Sequence, residues 1–173
     1  MSITELDDIK RRLQRLEDIE EIQDLANEYH QYINEGYWDR FQDLFTDDGV
    51  IVIDYVSEAR GKAAIKELFV NVVPDHKLTM IKHYNHAHQV RLDGDEATGI
   101  RYLEGRYGAE GQSLMLAGCY REKYRRTAEG WRFQEVVLKL HFSVPIGVVG
   151  WAAESLHTIE SVPQDRVPVG ASS

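Results

Sequence analysis

The sequence predicts an α+β domain in which three N-terminal helices pack on a curved antiparallel sheet, forming a cone-shaped α+β barrel around an apolar pocket. Three observations predict it. Apolar residues recur three and four apart through the N-terminal part of the chain, as one face of a helix requires. From residue 80 onward the pattern changes to long β-branched and aromatic runs broken at Asp-Gly and Glu-Gly tips, the mark of a hairpin meander. The length, 173 residues with 43% hydrophobic and 28% charged, suits one unit that buries a core without staples.

The elements follow in order. Leu6, Ile9, Leu13, Leu16, Ile19 and Ile22 mark a helix face, and Ser2 with Glu5 fits a capping box. With fewer than four clean heptads, the stripe reads as an ordinary buried face, packing within the domain or against a second subunit, rather than as a two-stranded coiled coil. The period continues through Leu25, Tyr29 and Ile33 and stops at Asn34-Glu35-Gly36, before a second short helix from Trp38 to Phe45. Thr46-Asp47-Asp48-Gly49 reads as a turn and Val50 to Tyr55 as the first strand. Gly61 opens a third helix, Lys62 to Val72, closed by Pro74. Four strands follow, Ile81 to Leu92, Ala97 to Gly108, Ser113 to Arg126 and Trp131 to Val144. The whole chain, 1–173, reads as a single domain with its core at about 15–145 and a loose tail from about Val162.

Composition excludes several functions. The formal charge is −9 and no Lys/Arg cluster is interleaved with aromatics, so nucleic acid is not an expected partner. The single cysteine, Cys119, permits no intrachain disulfide, and the N-terminus lacks a signal-peptide pattern, so a cytoplasmic setting is expected. The longest apolar stretch, Val144 to Trp151, is broken by Pro145, Gly147 and Gly150, and no membrane span is expected. Gly-x-Ser-x-Gly, a phosphate loop and Gly-x-Gly-x-x-Gly are missing, so acyl-enzyme, phosphoryl and hydride chemistry lose support and no cofactor is expected.

The densest polar cluster is His83-Tyr84-Asn85-His86-Ala87-His88 on a strand. Alternation turns His86 and His88 one way and His83 with Asn85 the other, unless a bulge intervenes. His-x-His can hold a metal, but completing ligands are not evident, so none is expected. An imidazole in an apolar pocket can instead move a proton near neutral pH, and His83 suits this on the concave side. Of nine tyrosines, Tyr29, Tyr32, Tyr37, Tyr55, Tyr84, Tyr102 and Tyr120 are spread over elements that would surround one cavity, where a phenol can polarise a carbonyl or protonate a leaving oxygen.

On Ile19-Glu20-Glu21-Ile22-Gln23-Asp24-Leu25, Tyr37-Trp38-Asp39, Leu44-Phe45-Thr46-Asp47-Asp48 and His83 ahead of Asp93-Gly94-Asp95, residues 15 to 145 resemble the SnoaL-like branch of the nuclear transport factor 2-like superfamily. Thr98 to Arg106 and Tyr120 to Tyr124 with Gly130-Trp131 look most like the bile acid 7α-dehydratases, with scytalone and hexachlorocyclohexane-type lyases more distant. The resemblance implies a cofactor-independent lyase, a dehydratase or related eliminating enzyme, usually a homotrimer rather than a dimer. His83 falls on the family's catalytic histidine, and Tyr29 and Tyr55 on active-site tyrosines. Asn34 stands where the family has an aspartate, and an amide fixes an imidazole's tautomer without stabilising the imidazolium. Pocket arginines of relatives have no evident match near Val136 to Leu140, which favours a hydrophobic cyclic or aromatic substrate. Substrate-lining candidates are Trp38, His86, Tyr102, Tyr120, Val136 and Leu138. An isomerase or polyketide-type cyclase with the same pocket, and a non-catalytic binder or small oxygenase subunit, are the alternatives.

Overall fold

The computed structural model describes residues 2–54 and 57–146. Helix α1 (Ile3–Glu35) opens with the expected capping box, Ser2 N–H donating to Glu5 Oε2 at 2.7 Å and Glu5 N–H to Ser2 Oγ at 3.2 Å. It closes at Gly36, whose φ of +77° is the left-handed geometry that a residue without Cβ adopts freely. A 3₁₀ helix (Trp38–Leu44) turns the corner into strand β1 (Phe45–Ile53), then come β2 (Ser57–Arg60) and helix α2 (Lys62–Asp75). Strands β3 (Leu78–Asp93), β4 (Glu96–Ala109), β5 (Gln112–Thr127) and β6 (Gly130–Pro145) complete the chain's described elements.

The six strands form one sheet in the order β2-β1-β6-β5-β4-β3, with the three helical segments packed on one side of it. The four long strands lie within three residues of their expected bounds, because each hairpin carries its own turn signal. Four details differ from expectation. The sheet is mixed and open, since β1 runs parallel to β6 while β2 and β3 are edges. That pairing joins segments some ninety residues apart and leaves no local mark. β1 starts at Phe45 because the turn-like Thr46 to Gly49 is absorbed as an irregularity within the strand; a Cβ on Gly49 would stand 2.9 Å from Phe45 Cβ. α2 continues through Pro74 to Asp75, and β2 was not expected. The loose tail expected from Val162 lies outside the described residues.

Only the second half of α1 builds the core. Ile22, Ala26, Tyr29 and Ile33 are buried, whereas Leu6, Ile9, Leu13 and Leu16 are exposed, so within one chain the packing covers only the later part of that face. Tyr29 packs edge-on against Phe41, Phe69, Tyr120 and Phe133, and Phe41 stacks on Phe69 with ring centroids 3.7 Å apart. Each such ring contributes through its buried area and its edge-to-face geometry. Among the described residues no helix is long and apolar enough to cross a membrane.

The helix meets the sheet at Asp18, whose carboxylate accepts from Arg126 Nη2 at 2.7 Å, Gln14 Nε2 at 3.1 Å and Trp131 Nε1 at 3.3 Å. Arg126 also lies over the Trp131 ring at 4.6 Å. Asp18→Ala removes one acceptor from three donors and is expected to cost about 1.5–3 kcal/mol in denaturant unfolding at neutral pH. The Arg126 hydrogen bond holds the Asp18 carboxyl below its ordinary value, with burial opposing. The contribution is therefore present above the unfolded carboxylate pKa and lost as pH falls through the lower folded value, so wild type and variant converge in acid. Equal stability of the two proteins at pH 7 would remove this contact from the account.

Candidate functional site

A cavity of about 480 Å³ lies between the helices and the concave face of the sheet. Its inner end is formed by buried Tyr29, His83, Leu116 and Tyr120, and its rim by exposed Asp75, His76, Glu110 and Gln112. Lys77 and Glu110 bridge the rim at 3.0 Å, joining the α2–β3 corner to the β4–β5 tip. Apolar walls with a few polar groups at the depth are the usual form of a small-molecule site.

His83 owes its place to two devices. Asn34, in the last turn of α1, clamps its main chain: Nδ2–H donates to His83 O at 2.9 Å and His83 N–H donates to Oδ1 at 2.7 Å. The amide thus supplies edge strand β3 with the two hydrogen bonds a further strand would give. Lys82 Nζ donates to Asn34 O from the same strand. Opposite, Gly105 makes room for the imidazole, since a Cβ there would stand 2.9 Å from His83 Cδ2. Asn34 and His83 are neighbours as expected, but the contact is to the main chain. Both imidazole nitrogens are buried and without a hydrogen-bond partner. Burial, and next the Arg101 charge, push the imidazole down to about 4, so it is neutral at physiological pH.

Beneath the cavity runs a buried polar network. Arg101 Nε donates to Glu122 Oε1 at 2.7 Å, and Nη2 lies 2.7 Å from the same oxygen as an ion pair, with both side chains fully buried. Arg101 Nη1 donates to Ala26 O at 3.1 Å and to His30 Nε2 at 3.0 Å. Because a guanidinium only donates, His30 Nε2 is the acceptor and its proton sits on Nδ1. Tyr124 Oη donates to Glu122 Oε2 at 2.5 Å and so accepts from His88 Nε2 at 3.1 Å. Burial and then Arg101 push His30 far down, and burial lowers His88. The guanidinium lies 4.3 Å from the Tyr120 ring, and the His30 ring stands 5.7 Å from that of His83. Burial raises the phenols of Tyr29 and Tyr120, keeping them protonated donors.

Of the residues singled out in the sequence, Tyr29, Trp38, His83, Tyr120 and Leu138 line the cavity. Three do not. His86 is exposed on the outer face, 3.9 Å from Glu104, and Tyr102 is 47% exposed beside it. Val136 is fully buried in the core behind the lining. The first two follow from alternation: Arg101 and Leu103 take the inner positions of β4, which turns Tyr102 outward. On β3 the register slips between His86 and Gln89, with Ala87 at φ +46°, so His88 returns to the inner face and His86 does not. Tyr55 lies outside the described residues. His30, Arg101, Glu122 and His88 were not singled out as a site; the available signal was a charged residue at an inward phase on each of β4 and β5. Among the described residues no group of three His, Cys, Asp or Glu side chains could hold a metal ion.

A type 2 hexachlorocyclohexane dehydrochlorinase superposes with a TM-score of 0.74 at 20% identity, covering 83% of this chain and 98% of that one. An NTF2-like protein with a cystatin-like fold from Novosphingobium aromaticivorans gives 0.69 at 25%, covering 80% and 92%. A scytalone dehydratase-like protein from the same organism gives 0.68 at 16%, covering 79% and 97%. No curated protein matches the chain. The model of the SnoaL-like domain matches residues 14–137. With that match over most of its length, and the fold shared with these structures, the chain belongs to the SnoaL-like family of the NTF2-like superfamily.

Proposed function

We propose that the protein is a cofactor-independent lyase of dehydratase or related elimination type, acting on a hydrophobic cyclic or aromatic molecule held in the cavity. The observation that carries it is His83: a buried imidazole at the inner end of the cavity, neutral at pH 7, with neither nitrogen engaged by the protein. His83 accepts the proton of a substrate C–H, that electron pair becomes the new double bond, and the leaving oxygen departs with a proton from the Tyr29 phenol. Tyr55 belongs to the same proposal as a second polar partner. A base held near 4 removes only a proton already acidified, for example by a neighbouring carbonyl. That weakness also favours a second reading, an isomerase or cyclase in which the same imidazole returns the proton; product mass separates the two, since elimination changes it and isomerisation does not. A homo-oligomer, trimeric by resemblance, and a cytoplasmic setting complete the reading. The exposed Met80, Tyr84, Ile100 and Tyr102 support association.

His83→Ala is expected to lower turnover about 10²–10⁴-fold while substrate binding survives, measured on small cyclic alcohols by mass spectrometry. Since the base acts unprotonated, kcat/KM should hold from neutral pH downward and fall only as pH drops through about 4, the value at which the His83 imidazole titrates. An acid limb near the ordinary histidine value, or full turnover in the variant, would remove His83 as the base.

Asn34→Asp tests the clamp. A carboxylate still accepts from His83 N–H but sets a second oxygen against His83 O, so the denaturation free energy should fall by about 1–3 kcal/mol. Unchanged stability would mean that the clamp does not hold β3.

A further inference from the structure

α1 is longer than the domain beneath it needs. Every residue from Ser2 to Glu17 is exposed, so at 1.5 Å per residue roughly 20 Å of helix stands clear of the sheet. A solvated helix of that length is marginal by itself. It is nevertheless opened by a capping box and carries Leu6, Ile9, Leu13 and Leu16, 38–64% exposed, along one side.

The spacing of those four residues is three, four, three, which is a, d, a, d of two heptads. Glu5 and Arg12 then occupy g, and Lys10 and Glu17 occupy e. The next a and d positions, Glu20 and Gln23, are polar, so the seam ends where Asp18 and Ile22 turn toward the helix's own sheet.

We propose that residues 3–17 of α1 pair with the same residues of a second copy of this chain, side by side, parallel and in register. Charge selects that arrangement. In a parallel pair each g residue faces the e residue five positions later on its partner, which sets Glu5 against Lys10 and Arg12 against Glu17, opposite charges at both places. An antiparallel pair with full overlap brings Lys10 against Lys10 and Arg12 against Arg12. A parallel seam places the symmetry axis along the helices and serves two or three chains alike. The inference rests on the homo-oligomer reading and specifies where the copies touch.

The full chain is examined by light scattering and sedimentation across the micromolar range. Wild type is expected at two or three times the 19.9 kDa chain mass, and Leu13→Glu, a change at an exposed position, at or near the chain mass with its circular dichroism retained. Arg12→Glu should weaken association about tenfold, and Arg12→Glu with Glu17→Arg should restore it. Leu13→Cys should cross-link to itself on oxidation, because a residues of parallel partners face their own number. A monomeric wild type overturns this contact together with the homo-oligomer reading. An oligomer indifferent to Leu13→Glu overturns the contact alone, and failure of the charge swap or of the cross-link overturns the parallel register.

Discussion

The buried pair Arg101 and Glu122 is the constraint on which the interior depends. Both charges lie fully out of water, and each is tolerated because the other pairs with it, with Ala26 O and His30 accepting from the guanidinium and Tyr124 donating to the carboxylate. Burial alone would lower the guanidinium's affinity for its proton, but Glu122 together with Tyr120 and Tyr124 more than offsets this and holds it charged. The pair ties α1 to β4 and β5 by bonds that have one geometry, unlike the apolar contacts around them. It also determines what the neighbouring histidines are. Arg101 settles the tautomer of His30, and its positive charge adds to burial in keeping His30 and His83 neutral.

The placement of α1 follows from the same interior. Asp18 fixes where the helix first meets the sheet, Arg101 holds it at Ala26 and His30, and Asn34 delivers its last turn to the edge of β3. Three polar anchors along one helix leave little freedom to slide, so the aromatic cluster around Tyr29 packs in one arrangement. The cavity is what remains between that fixed helix and the concave face of the sheet, and glycines on that face serve close approaches beside it. A Cβ at Gly118 would stand 2.7 Å from Lys139 O, so there the glycine serves strand approach, whereas at Gly105 it serves the imidazole.

Much of this was legible in the sequence, and the remainder was hidden for identifiable reasons. The helix stops, the capping box and the four long strands each carry a local signal. The parallel pairing of β1 with β6 carries none, because it depends on which distant strand is left to cover. His83 was singled out within the polar cluster of β3, and the cavity lies against it. His86 and Tyr102 were misplaced against alternation, which turns both outward once His83 and Arg101 face in; His88 alone needed the bulge at Ala87, a single residue of positive φ that no composition announces. Arg101 and Glu122 sat in plain view at inward positions. They pass for surface charges unless the strand's phase is followed through Leu103 and Tyr120.

In the proposed reaction, the burial that suits the cavity to a hydrophobic ring also weakens His83 as the base. Removing water from an imidazole disfavours its charged form, and here no carboxylate returns the lost stabilisation, since Asn34 spends both ends of its amide on the backbone. A histidine so placed is always ready to accept a proton and poorly able to keep one. Chemistry suited to it begins from a C–H acidified by the substrate itself and ends with the proton passed on quickly, to a departing group or back to the ring at another carbon. The phenols of Tyr29 and Tyr120, held protonated by the same burial, are the donors available to receive developing negative charge on a substrate oxygen. Under the proposed reading, one physical cause, exclusion of water by the aromatic packing under α1, sets substrate polarity, base strength and the protonation state of the donors together.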